Sequence, residues 1–193
     1  MNGEYSEKIG IKDIEGGSPE TPGADFGSRK KPETAFGRAE ILELLKAKGI
    51  EFEYMEHPPL YTMEDIKKYG LPHRELIAKN VFASDDKRRT YFLISIKGDE
   101  RADLKAIGKP WGYNHLRFAS SEELSSMLGL YPGAVSPFGL LNDGSAKIIY
   151  CVDRRLLGGL IGAHPNDNTA SVWLEASDLL GIIKEHGNPV YEF

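Results

Sequence analysis

With 193 residues, 40% of them hydrophobic, the chain can form one ordinary domain with a proper core. Its net charge of -5 neither calls for nor excludes a nucleic-acid partner, and the most cationic stretch, Lys79 to Arg117, carries nine Lys and Arg against five acids. No apolar run is long enough to span a bilayer and the N-terminus lacks a secretory apolar centre. Cys151 stands alone in the apolar run Ile148 to Val152, so a cytoplasmic protein with a buried core thiol is expected.

In chain order, residues 1–33 are rich in Gly, Pro, Ser and charge and are expected to be a disordered tail, including the basic Ser28 to Lys31. The folded part is expected from Thr34, which can cap a helix carrying Ile41, Leu44 and Leu45 and stopped by Gly49. A strand over Ile50 to Met55 follows. His57-Pro58-Pro59 must be a loop, with His57 a hydrogen-bonded loop residue, and Thr62 caps a short helix ended by Gly70.

Leu76 to Ser84 and Thr90 to Ile96, separated by a charged turn, predict an antiparallel hairpin. On its first strand Ile77, Lys79, Val81 and Ala83 share one face, and both faces are apolar. Lys79 breaks that pattern. Either it is exposed, snorkelling from a strand end or guarding an edge, which is the common condition of lysine, or it stands at a sheltered anion site.

A turn and short helix follow from Lys97 to Lys105, then a short strand near Leu116 and a helix from Ser120 or Ser121 to Leu128, ended by Gly129. Tyr131 to Asp143 is a Gly/Pro loop, of a kind that either turns tightly or presents backbone amides to an anion. Ala146 to Val152 predicts a strand. Gly162 to Leu174 places His164 and several amide and hydroxyl side chains in a loop before a strand, and a helix over Asp178 to His186 capped by Ser177 and a closing strand Val190 to Phe193 complete the set. The elements predict an α+β (mixed α/β) domain with one central mixed, largely antiparallel sheet flanked by helices.

Several chemistries are absent from the text. It has no phosphate loop, dinucleotide fingerprint or nucleophile elbow, and the five histidines are scattered without metal-ligand spacing. No metal and no cofactor are expected. A lysine on an apolar strand, a Gly/Pro loop and a His/Asn loop remain, a set able to position an ester and a water without a covalent nucleophile.

Five phrases occur in order: His57-Pro58-Pro59, Ala78 to Phe82, Asp103-Leu104-Lys105, Gly133 to Asp143 and His164 to Ser171. Together they resemble the YbaK/ProX family of free-standing aminoacyl-tRNA editing proteins, and the editing domain inserted in bacterial prolyl-tRNA synthetases. The resemblance covers residues 34–193 and implies that fold and hydrolysis of mischarged proline tRNA. The phrases around Phe138 and His164 are closer to the alanine-removing ProX branch than to the cysteine-removing one. By matching positions, the resemblance implies catalytic roles for Lys79, Gly133 and His164. It places Asn80, Ala134, Val135, Ser136 and Pro137 against the substrate, the aminoacylated acceptor end of tRNA, with transient contact to prolyl-tRNA synthetase as a further expectation. The alternative is a module that binds the acceptor end or an amino acid without turnover. Residues 107–117 match no pattern.

Overall fold

The computed structural model describes residues 35–98 and 100–193, so the expected tail and the Thr34 cap lie outside the described residues. The first helix, α1, spans Arg38–Ala47 and buries Ile41 and Leu45. Its first turn is closed by Glu40, whose carboxylate accepts from the Gly37 N–H at 2.8 Å. Strand β1 covers Phe52–Glu56. Helix α2, Met63–Lys68, is capped reciprocally: Thr62 Oγ1 accepts from Asp65 N, and Asp65 Oδ2 accepts from Thr62 N at 2.9 Å.

The hairpin forms as β2, Ala78–Asp85, and β3, Tyr91–Lys97, with Lys79 opposite Ile96 and Asn80 opposite Ser95. Leu76 lies outside the strand, closing a single 3-10 turn over Arg74–Leu76. The predicted alternation holds. Ala78 and Phe82 pack with Leu93, Tyr150 and Val152, whereas Val81 and Ala83 pack with Phe92, Ile94, Ile96 and Ile107 on the other face. Each such side chain fully withdrawn from water stabilises the fold by roughly 2 kcal/mol, which explains why the strands read as continuous apolar runs.

Helix α3 is Leu104–Gly108, β4 is Leu116–Phe118 and α4 is Ser121–Leu128, capped by Ser120. Strand β5 starts only at Ile149, because Asp143 Oδ2 accepts from Ile148 N at 2.8 Å and Ala146 turns left-handed (φ 49°). Then come β6, Leu160–Ala163, β7, Ala170–Glu175, α5, Ala176–His186, and β8, Val190–Glu192.

The class is mixed α/β, but the strands form two sheets where the sequence predicted one. The larger has the order β4-β2-β3-β5-β8, antiparallel through β3 and parallel beyond it. The smaller, β1-β7-β6, is wholly antiparallel. The division follows from β6, which its glycine-rich text concealed: it pairs with β7 as a hairpin around the His164 loop and leaves β1 on the far side of β7. A bridge between Ile77 and Gly162 links the two sheets. Gly162 permits this close approach, since a Cβ there would lie 2.7 Å from Trp173 Nε1 and 3.0 Å from Ile77.

Candidate functional site

Strand β4 pairs only with Ala83 to Asp85, so the first residues of β2 have no strand beyond them in their own sheet. A cavity of about 570 Å³ lies against that unpaired stretch, within the ordinary range for small-ligand sites. Lys79 and Asn80 point to opposite strand faces, yet both line it. Lys79 is half-buried. Its Nζ donates to the Glu100 carbonyl oxygen at 3.4 Å and has no carboxylate partner among the described residues. Asn80 is held by a buried relay: Tyr150 OH donates to Ser95 Oγ at 3.0 Å, and Ser95 Oγ donates to Asn80 Oδ1 at 2.6 Å. The amide oxygen is thereby fixed in one direction.

The Gly/Pro loop forms the opposite wall. Ala134 N donates to Tyr131 O at 3.0 Å, closing a turn in which Gly133 adopts φ +93°. A side chain would be strained there and also obstructed, since its Cβ would lie 2.8 Å from the Tyr61 ring. Among the described residues the Gly133 N–H has no hydrogen-bond partner. Asn168 fastens the neighbouring loops together. It accepts from Tyr131 OH at 2.9 Å on its side chain and from Leu60 N at 3.1 Å on its backbone.

His164 completes the lining. Its Nδ1 faces the Ala170 carbonyl at 2.8 Å and so must donate, which leaves Nε2 as the acceptor. Burial pushes its pKa below the usual histidine value, and the neighbouring His57, with ring centroids 5.9 Å apart, adds to that. His57 itself is buried, bonded to Pro58 O and Ser171 Oγ, both at 2.9 Å. It supports the loop from behind.

Of the residues singled out in the sequence, Lys79, Asn80, Gly133, Val135 and His164 line the cavity together. Ala134, Ser136 and Pro137 do not: all three are buried. Ser136 Oγ donates to the His164 carbonyl and accepts from Phe138 N, while Pro137 opens the 3-10 helix that runs to Asn142. These three lie behind the lining. The sequence reasoning missed Tyr61, Thr62 and Glu64, which line the near side. An aromatic two residues after His57-Pro58-Pro59, beside the Thr62 cap, was the available signal. In residues 107–117, Trp111 and Tyr113 pack edge-on against Phe92.

Residues 57–182 match the family described as the aminoacyl-tRNA editing domain. The prolyl-tRNA editing protein ProX of Acetoanaerobium sticklandii is 40% identical over 149 residues, spanning 77% of this chain and 91% of that protein. The chain belongs to the aminoacyl-tRNA editing family. The prolyl-tRNA synthetase associated domain-containing protein 1 of Danio rerio is 31% identical over 151 residues, 77% of this chain and 82% of that one. The fold matches a crystal structure described as a candidate trans-editing enzyme for prolyl-tRNA synthetase, with TM-score 0.61 and 23% identity over 80% of this chain and 95% of the other.

Every cavity-lining residue of this editing-family chain falls within the matched span. Among the described residues no group of three His, Cys, Asp or Glu could hold a metal ion, and no helix is long and apolar enough to cross a membrane. Burial pushes the Cys151 thiol up to about 12, so the lone cysteine is a core residue without nucleophilic character.

Proposed function

We propose that the protein is a trans-editing deacylase that hydrolyses the ester of mischarged proline tRNA, with alanine as the amino acid removed and Lys79, Gly133 and His164 as its catalytic residues. The observation that carries the proposal is the convergence of Lys79, Asn80, Gly133, Val135 and His164, from three separate segments, on one cavity. The 40% identical relative named as a prolyl-tRNA editing protein supports the tRNA, and the relatives named for association with prolyl-tRNA synthetase support transient contact with that enzyme.

An aminoacyl ester is already activated, so the work left to the protein is to orient the acceptor end, admit a small side chain and bring a water to the carbonyl. As water adds, the carbonyl oxygen becomes anionic. The Gly133 N–H supplies a preorganised donor to that oxygen, a contribution of about 3 kcal/mol for such a group. The unpaired Lys79 ammonium stabilises the same negative charge or the terminal ribose and phosphate oxygens, and Asn80 adds its amide. Neutral His164, with Nε2 as acceptor, orients the attacking water. Among the described residues Glu64 is the one carboxylate in the lining, and it matches the substrate's free α-ammonium group. The apolar residues Leu60, Ile66 and Val135 then limit the side chain by size, which is how a pocket excludes a larger residue than the one it admits.

Deacylation assays on proline tRNA charged with alanine, cysteine or proline test this directly. Rapid release of alanine, with prolyl-tRNA spared, is expected. Binding of the charged tRNA without release of any amino acid would instead identify a non-catalytic module, and preferential release of cysteine would reassign the substrate.

A further inference from the structure

Among the described residues Lys79 is the only Lys or Arg lining the cavity, and a backbone carbonyl, not a carboxylate, meets its ammonium. One competing carboxylate belongs to the residue that supplies that carbonyl. Glu100 is exposed, and a carboxylate on the residue already touching Nζ is within a side chain's reach of it. In the structure it is engaged elsewhere. Arg155 Nη1 donates to Glu100 Oε1 and Nη2 to Oε2, both at 2.7 Å, a two-pronged match of guanidinium to carboxylate. The pairing holds the Glu100 carboxyl below the usual carboxylate range.

Arg155 is itself anchored. Its Nε donates to Asp153 Oδ1 at 3.0 Å and its Nη2 to Asp153 Oδ2. Asp153 is buried directly after β5, and its backbone N–H donates to Ser95 O at 3.0 Å. Ser95 is the residue whose hydroxyl orients Asn80. The segment after β5 therefore reaches both cavity residues of β2, Lys79 through Glu100 and Asn80 through Ser95.

We infer that Arg155 is a positioning residue for the reaction: it holds the Glu100 carboxylate away from Lys79, so that the ammonium stays unneutralised while the Glu100 carbonyl tethers it. The inference rests on the editing function proposed above, because it concerns the availability of Lys79 to substrate. In open water a Lys–Glu pair is weak. Once the acceptor end covers the cavity and displaces water, a carboxylate on Lys79 competes strongly with the developing oxyanion.

The test is a double-mutant cycle in the full chain with Arg155→Ala, Glu100→Gln and the double variant, measuring kcat, KM and Tm with alanyl-tRNA. Arg155→Ala is expected to lower kcat about tenfold, the scale of a misplaced catalytic group, with KM little changed. Adding Glu100→Gln removes the competing anion and is expected to bring kcat back to within about threefold of wild type, a recovery that a merely structural salt bridge would not give. Glu100→Gln alone, lacking the same anion, is expected to match the double variant. Should Arg155→Ala lower Tm sharply, Arg155→Lys keeps a cation beside Asp153 without the fork and is expected to show the same loss and the same recovery. Wild-type turnover in the Arg155 variants, or no recovery in the double variant at equal Tm, overturns the inference and leaves the editing function standing. An inactive wild type overturns both.

Discussion

At the turn end of the β2–β3 hairpin the two sheltered carboxylates, Asp85 and Glu123, have their partners, and at the open end the Lys79 ammonium meets no carboxylate among the described residues. Asp85 is buried at the turn and accepts from the backbone N–H groups of Lys87, Arg89 and Thr90 at 3.1, 2.6 and 2.7 Å. Arg88 and Arg117 meet on Glu123 at 3.4 and 3.2 Å, and Tyr91 OH donates to the same carboxylate at 2.9 Å. Six residues from Asp85 along β2, Lys79 has a single carbonyl contact and a cavity in front of it. Charges satisfied within the chain fix its shape, while on the function proposed above the charge left unsatisfied beside the hollow is available to substrate. The same pair of strands therefore separates stability from chemistry by position.

Substitutions at the two ends should consequently fail in opposite ways. Lys79→Ala is expected to lower deacylation by about a thousandfold, the upper range for loss of one preorganised charge, while Tm moves by less than about 2 °C. A large loss of Tm would break the contrast by showing that the ammonium also serves the fold. Gly133→Ala comes next. It places a side chain at φ +93° against the Tyr61 ring, so a loss of about a hundredfold in kcat/KM is expected, together with about 1 kcal/mol of stability in urea unfolding. Asp85→Ala is the mirror case. It strands three backbone donors, at a cost of about 2 kcal/mol, and is expected to leave kcat per folded molecule unchanged.

How much of this arrangement the sequence reveals depends on how local its cause is. The hairpin, the Thr62 and Ser120 caps and the Gly49 and Gly129 stops are written in neighbouring residues and are found where the text places them. Strand β6 is not, because Gly158, Gly159 and Gly162 look like a loop until Trp173 and Ile77 occupy the space that a side chain would need. The cavity's far wall was legible through the Gly/Pro and His/Asn loops. Its near wall was not, since Tyr61 and Glu64 acquire their positions only when the Leu60 N–H bonds to Asn168, 108 residues further on. Ala134, Ser136 and Pro137 belong to the quoted motif but lie outside the lining. A contiguous motif invites one role for all its residues, whereas past the turn at Gly133 only Gly133 and Val135 of the run to Pro137 line the cavity.

Glu64 offers a smaller test from the opposite sign of charge. If it meets the α-ammonium, Glu64→Gln is expected to raise KM for alanyl-tRNA about fivefold and to leave N-acetylalanyl-tRNA unaffected, since the acetylated substrate has no cation to lose. Equal effects on both substrates would remove Glu64 from substrate recognition.

A pH titration separates the two ends of the hairpin without any substitution. Burial lowers the pKa of His164 and of His57 below the usual value of about 6.5, so the neutral rings are the folded forms. The unfolded chain then binds more protons than the folded one at slightly acid pH, and stability falls as pH is lowered from about 6.5 through the depressed folded values. Deacylation falls over the same window, because protonation removes the Nε2 acceptor from His164. At the turn end, burial pushes the Asp85 carboxyl up, but the three backbone donors outweigh that and hold it below the carboxylate range. Glu123, bonded first of all to the Ser120 N–H, is held down at about 2. Their contribution persists until the pH drops below about 4, where the unfolded carboxylates begin to take up protons, and it is lost on the way down to the folded values. Activity and Tm followed from pH 8 downward should therefore show activity failing first, with a modest early drop in Tm and a second, larger one in strong acid. His164→Gln is expected to flatten the acid limb of kcat/KM and leave the low-pH fall in Tm intact. A variant that keeps the acid limb would move the proton-sensitive group away from the cavity.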